Sequence, residues 1–404
     1  MPIGSAVHDR TLALCKSLNY REWSGFFSVS AYEAHHEHEY AAIRTSAALI
    51  DISPLYKYLI TGKEATGFVN RLITRDATKL AVGQVAYTTW CDEDGKVIDD
   101  GTVSRLGDDR YRWTAADPNL RWFQGNAGGF DVTIRDVSEE VGALALQGPT
   151  SADVLRQVAD VDIDALKYFR VTSGAIRNVS VDVSRTGYTG DLGYEIWMPW
   201  EDAGRVWDAL VDHSQDYLVR PAGMLALDVA RIEAGLLLTE VDFFGSRKAL
   251  ISSQRYSPFE MGLDRLVSLD KSEFVGQAAL RNERLAGPPR RIVGLEIDWP
   301  AIEVLFEAVG LPPEPPIVAS REAVPVYSGR EQIGKLTSMV WSPVLKKLIA
   351  LATVHRNYSA SGTKILIEFT VQAVRHKVEA VVVPTPFFSP SRKTATPPAT
   401  ARSS

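Results

Sequence analysis

The run Val179-Ser180-Val181-Asp182-Val183-Ser184 alternates apolar and polar residues and predicts a half-buried strand. Tyr194-Glu195-Ile196-Trp197 predicts its partner. Glycines 187, 190 and 193 punctuate the connection between them, which is longer than a tight hairpin turn. Glycine there allows the backbone to come close to something flat, with Tyr188 and Glu195 supplying a ring and a carboxylate. Upstream, AYEAHHEHEYAAIRTSAA (31–48) has helical composition, IDISPLYKYLITG is strand-like, and KEATGFVNRLI is helical again. A meander follows in VAYTTWCDEDGKVIDDGTVSRL and DRYRWTAA, turning at Asp92 to Gly95. VGALALQGPTSADVLRQVA predicts a strand entering a helix near Pro149 or Ser151. EDAGRVWDALVDHS is an amphipathic helix, and AGMLALDVARIEAGLLL sets Leu225, Val229, Ile232 and Leu236 at helical spacing. Strands and helices mix without strict βαβ alternation, so the fold class is α+β rather than a doubly wound sheet.

The pattern changes after ERLAGPPRR (283–291), which reads as a linker. Six short strand runs follow: RIVGLEID, VPVYSG, EQIGKLTSMVW, LIALATVH, TKILIEFT and KVEAVVVP. They predict a small barrel or sandwich, with LPPEPPIVAS as a proline-rich loop inside it. The tail SPSRKTATPPATARSS is of low complexity and reads as disordered. The boundaries are a body over 1–284, a C-terminal domain over 285–387 and a tail over 388–404.

Composition narrows the function classes. The 404 residues are 45% hydrophobic and 23% charged, enough for an ordinary core. A net charge of −6 with no basic face gives no case for nucleic acid. No apolar run approaches the roughly 18 residues of a membrane span. The N-terminus MPIGSAVHDRTLALCK lacks the apolar core of a signal peptide. Cys15 and Cys91 read as thiols in a reducing cytoplasm, which is the location expected. His35, His36 and His38 do not converge as an i, i+4 pair would, so they read as a solvated helix face and no metal is expected. Asp99 and Asp100 are adjacent in a strand and point to opposite faces, so they do not form a dyad. The glycine hairpin is neither a dinucleotide fingerprint nor a phosphate loop, and no nucleophile elbow occurs.

Seven segments together resemble the glycine-cleavage aminomethyltransferase (T-protein) family: GKVIDDGTV, LALQGPTS, SRTGYTGDLGYE, RPAGMLALDVARIEAG, SPFEMGL, FVGQAAL and LTSMVWSPVLKKLIALATV. They occur in the family's order across residues 40 to 386. The resemblance implies a three-part cloverleaf body with a C-terminal β-barrel and tetrahydrofolate in the central hole. By matching position, the resemblance implies that Asp100 is the essential aspartate near N5 and N10 of folate. Glu195 matches the family's carboxylate on the pterin's donor edge. Tyr87 and Tyr188 line the folate channel, and Arg231 and Trp341 join them as cofactor-binding positions. A well-placed carboxylate can orient the attacking amine and stabilise charge developing on it.

The chain also departs from the family. Ser-His-Met-Gly is here Ser53-Pro54-Leu55-Tyr56, and Ala-Arg-Asp is Ala226-Leu227-Asp228. The segment 240–263 is longer than its counterpart. Leu55, Tyr56 and Leu227 thus suggest an apolar donor pocket, with Tyr56 donating a hydrogen bond to the leaving atom. The reading favoured is a demethylase-like paralogue. It would move a methyl group from a small O-, S- or N-methylated substrate to N5 of tetrahydrofolate, giving the 5-methyl product. The alternative is the aminomethyltransferase of the glycine cleavage system, which gives 5,10-methylene-tetrahydrofolate and ammonia and takes a lipoyl carrier protein as partner. A second alternative is a non-enzymatic folate-binding protein. Relatives of that kind carry Lys-Gly-Cys-Tyr-x-Gly-Gln, whereas Arg185-Thr186-Gly187-Tyr188-Thr189-Gly190-Asp191 has no cysteine.

Overall fold

The structure is a computed structural model that describes residues 1–212 and 219–397. The chain forms two compact units. Of these residues the first comprises 1–89, 99–212, 219–230 and 389–397; the second comprises 90–98 and 231–388.

The first unit holds a two-stranded ribbon, Asn19–Trp23 with Phe26–Ala31, and two larger sheets. The larger runs in the order Ala159–Asp160, Val171–Ile176, Val179–Ser184, Gly193–Pro199, Val141–Gln147, Ala47–Asp51, Val219–Pro221. All its neighbours are antiparallel except the last pair. Its period-2 alternation sends Val181, Val183, Tyr194, Ile196, Leu144 and Leu146 to one face. There they pack against Leu155 of helix Ser151–Val158 and Trp207 of helix Ala203–Asp212 to form the main core. The smaller sheet runs Gln84–Cys91, Val97–Gly107, Arg110–Ala115, Tyr56–Thr61, Thr133–Asp136. Trp113, Tyr58 and Phe123 are buried on one of its faces in edge and tilted ring contacts.

The helix expected over 31–48 is shorter than its composition suggests. It spans Glu37–Thr45 only, because Ala31 ends the strand Phe26–Ala31 and Ala47 opens Ala47–Asp51. The strand-like IDISPLYKYLITG is two strands, divided by a turn at 52–55.

In the second unit the six expected strands close into a barrel. The order is Arg290–Ile297, Lys347–His355, Glu331–Ser342, Val324–Ser328, Lys364–Val371, Val374–Val383 and back to the first. Closure leaves no free edge. Alternating Leu295, Ile297, Leu348, Ala350, Ala352, Ile365 and Ile367 fill the interior. Asp298 accepts from the Ala301 amide and starts the helix Trp299–Glu307, whose Ile302 and Phe306 join that core. A separate cluster joins Cys91 and Val97 to Phe243, Tyr256, Phe259 and Leu280, so 231–284 goes with the barrel in this unit.

The tail is not loose from its start. Residues 389–397 fold back onto the first unit, with a single 3-10 turn at Ser391–Lys393. Residues 398–404 of the tail lie outside those described.

Candidate active site

Alternation puts the chemistry on the face of the larger sheet away from its core. Asp182 and Ser184 pair with Trp197 and Glu195, so these four share the polar face opposite Val183 and Ile196. Thr186, in the loop after Ser184, donates from Oγ1 to Glu195 Oε2 at 2.7 Å. No hydrogen bond from another described residue reaches Oε1. Burial raises the Glu195 carboxyl above its ordinary range, while the Thr186 bond and the nearby Arg112 guanidinium pull it back down.

Arg112 comes from the smaller sheet. Its Nη1 donates to Asp182 Oδ2 at 2.7 Å, and its guanidinium carbon lies 4.5 Å from the Trp197 ring centre. The polar faces of the two sheets therefore meet at this arginine. Thr114 lies two residues on, and its hydroxyl is 2.7 Å from that of Thr102. Sequence reasoning missed Arg112. The signal was present in Arg110-Tyr-Arg-Trp-Thr114, where polar side chains fall on every second position.

Asp99 and Asp100 part as their strand requires. Asp99 is enclosed and accepts from the amides of Asp100 (2.8 Å) and Asp117 (2.9 Å) and from Asn119 Nδ2 (3.1 Å). Asp100 keeps a partly exposed edge and accepts from Tyr87 Oη through Oδ2 at 2.6 Å, a charge-assisted length. No hydrogen bond from another described residue reaches its Oδ1. Burial of the carboxylate pushes Asp100 up to about 6, with the Tyr87 bond opposing the rise. Burial, then the Asp100 charge, keeps the Tyr87 phenol well above its usual value, so it stays a donor through neutral pH. Tyr188 lies close enough to Tyr87 to add to that effect. Tyr87, Asp100 and Tyr188 are thus brought together, and Glu195 follows Tyr188 on the same hairpin.

The hairpin glycines have a different neighbour from the one expected. A Cβ at Gly187 would fall 2.0 Å, and one at Gly193 2.2 Å, from Gln147 Oε1. Gln147 is buried, donates to the carbonyls of Thr186 and Tyr194 (both 3.2 Å) and accepts from Thr189 Oγ1 at 2.9 Å. These two glycines make room for a buried amide that satisfies the loop from beneath.

The donor-side positions lie at a turn and on a helix. Leu55 closes the 52–55 turn, Tyr56 opens strand Tyr56–Thr61, and Leu227 sits in helix Met224–Glu233; all three are partly exposed. A further unforeseen residue holds the turn. Lys57 is fully buried and donates from Nζ to the Ser53 carbonyl at 2.6 Å and the Leu55 carbonyl at 2.7 Å. Burial pushes it down to about 7.

Arg231 and Trp341 belong to the second unit. Arg231 is wholly enclosed, donating to Asp242 Oδ2 at 2.6 Å and Ser338 Oγ at 2.8 Å. Asp242 Oδ1 also accepts from Thr337 and Ser338. The Arg231 guanidinium is thus held in a buried network. Trp341 packs on Trp299, ring centres 5.0 Å apart.

The donor set suits a pterin. Asp100 and Glu195 each have one oxygen fixed by a hydroxyl and one open, and a reduced pterin presents N–H donors to such acceptors. Among the described residues no three His, Cys, Asp or Glu side chains group as a metal site. No helix among them is long and apolar enough to cross a membrane.

Known proteins agree with this architecture. The GCVT N-terminal domain matches residues 7–271, and the glycine cleavage T-protein C-terminal barrel domain matches 290–389. An aminomethyltransferase of Bacillus pumilus (strain SAFR-032) is 35% identical over 380 residues, covering 92% of this chain and 94% of that protein. One from Clostridium botulinum (strain Loch Maree / Type A3) is 34% identical over 367 residues, covering 88% and 90%. The crystal structure of glycine cleavage system aminomethyltransferase T from Bartonella henselae superposes with a TM-score of 0.81 at 23% identity, over 96% of this chain and 99% of that one, a likeness of fold. The chain is therefore an enzyme of the folate-dependent transferase class. It belongs to the glycine cleavage T-protein, or aminomethyltransferase, family, whose members use tetrahydrofolate.

Proposed function

We propose that the protein moves an aminomethyl group from a lipoyl carrier protein to N5 of tetrahydrofolate, giving 5,10-methylene-tetrahydrofolate, ammonia and the carrier with its lipoyl sulfur released as a thiol. The observation that carries this reading is the pair of half-open carboxylates, Asp100 and Glu195, on the polar faces of the first unit. The near full-length likeness to proteins named aminomethyltransferase favours the aminomethyl group over a methyl group as the unit moved.

Tetrahydrofolate, when bound, supplies a nucleophilic N5 that accepts the one-carbon group. Glu195 binds the pterin's N–H edge through Oε1, with Thr186 fixing the carboxylate's rotation and Arg112 favouring its charged form. Tyr188 provides a ring face beside it. Asp100 orients the attacking amine through Oδ1 and stabilises positive charge arising there. A carboxylate titrating near 6 is ionised at neutral pH yet basic enough to take up a proton. Such assistance contributes about 10²–10⁴-fold, and proximity of the two reactants supplies much of the remainder.

The demethylase is kept as a second reading because Pro54 and Leu227 replace the family's histidine and arginine, Tyr56 stands in place of a glycine, and Leu55, Tyr56 and Leu227 are partly exposed. Under it, Tyr56 donates to the leaving atom. A donor panel separates the two: aminomethylated lipoyl carrier against methylated amines, sulfonium compounds and methoxybenzoates. The product is read as 5,10-methylene- or 5-methyl-tetrahydrofolate. Methylene product from the carrier alone supports the proposal. Methyl product from a small donor, slowed by Tyr56→Phe without loss of folate binding, overturns it in favour of the demethylase.

A further inference from the structure

The loop that carries Tyr188 and leads to Glu195 is tied to the end of the chain. Asp191 in that loop has no exposed side-chain surface. Arg392 grips it in a fork, Nε to Oδ1 at 2.6 Å and Nη2 to Oδ2 at 2.8 Å. Arg44, from helix Glu37–Thr45, reaches the same Oδ2 at 3.2 Å and the Thr189 carbonyl at 3.0 Å. Arg392 also donates to the Arg44 carbonyl at 3.3 Å. Contacts run the other way as well. Arg185, which opens the loop, donates from Nη2 to the carbonyls of Arg392, Lys393 and Ala395. Loop and C-terminal segment are thus stitched at both ends, by one side chain from each.

This segment lies almost wholly past residue 389, where the C-terminal barrel family match stops. We infer that residues 390–397 form a clasp that sets the geometry of loop 185–192, and that Arg392 is the positioning residue which, through Asp191, holds Tyr188 and Glu195 ready for the pterin. The inference rests on the folate role proposed above for those two residues. Arg44 alone leaves Asp191 with a single, longer ion pair, so the stretch around Asp191 loses its fork while Gln147 still holds the loop from beneath. An ordered loop is pre-organised for binding, whereas a loosened one must be ordered at the expense of affinity.

The test compares full-length Arg392→Gln and Arg392→Lys with the wild type. Hydrogen exchange of the 185–192 amides is read without ligand, and tetrahydrofolate affinity, KM and kcat are read separately. Arg392→Gln should lose protection at 185–192 and bind tetrahydrofolate at least about tenfold more weakly, raising KM more than it lowers kcat. Arg392→Lys, which keeps a charge on Asp191 but not the fork, should recover part of both. A lower melting temperature with unchanged exchange and unchanged KM would mean a purely structural tie and overturn the inference. Loosened exchange with unchanged tetrahydrofolate affinity would overturn it too. If Arg392→Gln does not fold, Arg392→Lys is read alone: wild-type exchange and affinity then count against the clasp. A wild type that binds no tetrahydrofolate would instead sink the folate reading, while loop exchange would still decide whether the clasp holds the loop.

Discussion

Replacing Tyr87 by Phe should move the acid limb of the pH–rate profile upward. The phenol donates to Asp100 Oδ2 at 2.6 Å and favours the ionised carboxylate, against burial that pushes Asp100 up to about 6. A hydrogen bond to a charged group is worth about 1.5–3 kcal/mol, and 1.36 kcal/mol corresponds to one pH unit, so the limb should rise by roughly one to two pH units. The sign is fixed by which form is bonded. Tyr87 stabilises the charged state; without it the proton is held more tightly and a higher pH is needed to ionise Asp100. The phenol's own titration lies well above neutrality, so the donor is present across the whole window. The assay is kcat against pH from 5 to 9 with tetrahydrofolate saturating, for wild type, Tyr87→Phe and Asp100→Asn. Wild type should fall off below about pH 6, Tyr87→Phe should fall off higher, and Asp100→Asn should lose the limb together with most of its rate. A limb in Tyr87→Phe that stays put or moves down would refute the coupling.

Other perturbations have equally definite outcomes. Glu195→Ala should cost about 1.5–3 kcal/mol of tetrahydrofolate affinity by calorimetry, since a charged acceptor is lost; unchanged affinity with the fold intact would remove Glu195 from the site. Lys57 titrates in the fold at about 7, below its ordinary 10.5. Between those values the unfolded chain holds the extra proton, so this lysine's contribution to stability rises with pH. Chemical denaturation of Lys57→Met against wild type across that range should show the difference growing with pH in the wild type's favour. Gly193→Ala would drive a methyl into Gln147 and should lower stability by about 1–3 kcal/mol, visible as a reduced melting temperature.

What the sequence made legible follows from how local each signal is. The barrel strands were plain because each is a short alternating run bounded by turn residues. The split between Asp99 and Asp100 needed only the strand period, and the structure gives them separate partners. The 31–48 region misled because helical composition runs past both ends of a helix whose limits are set by sheet pairing on either side. Long-range partners were the other gap. Nothing near Gly187 and Gly193 announces that the amide beneath them comes from Gln147, in another strand. The tail reads as low-complexity, and only the buried Asp191 carboxylate gives Arg392 somewhere to go. Arg231 was carried over from the resemblance as a cofactor-binding position, and its buried partner Asp242 lies on a stretch whose path the sequence does not reveal.

Asp100 is proposed to act in chemistry rather than in binding. Single-turnover transfer by Asp100→Asn, with tetrahydrofolate saturating and aminomethylated lipoyl carrier in excess, tests this most directly, with Asp99→Asn as the neighbouring control. The account predicts a transfer rate lower by about 10²–10⁴-fold in Asp100→Asn, near-normal tetrahydrofolate affinity, and a much milder loss in Asp99→Asn. Transfer by Asp100→Asn at the wild-type rate, or equal losses for the two substitutions, would contradict it.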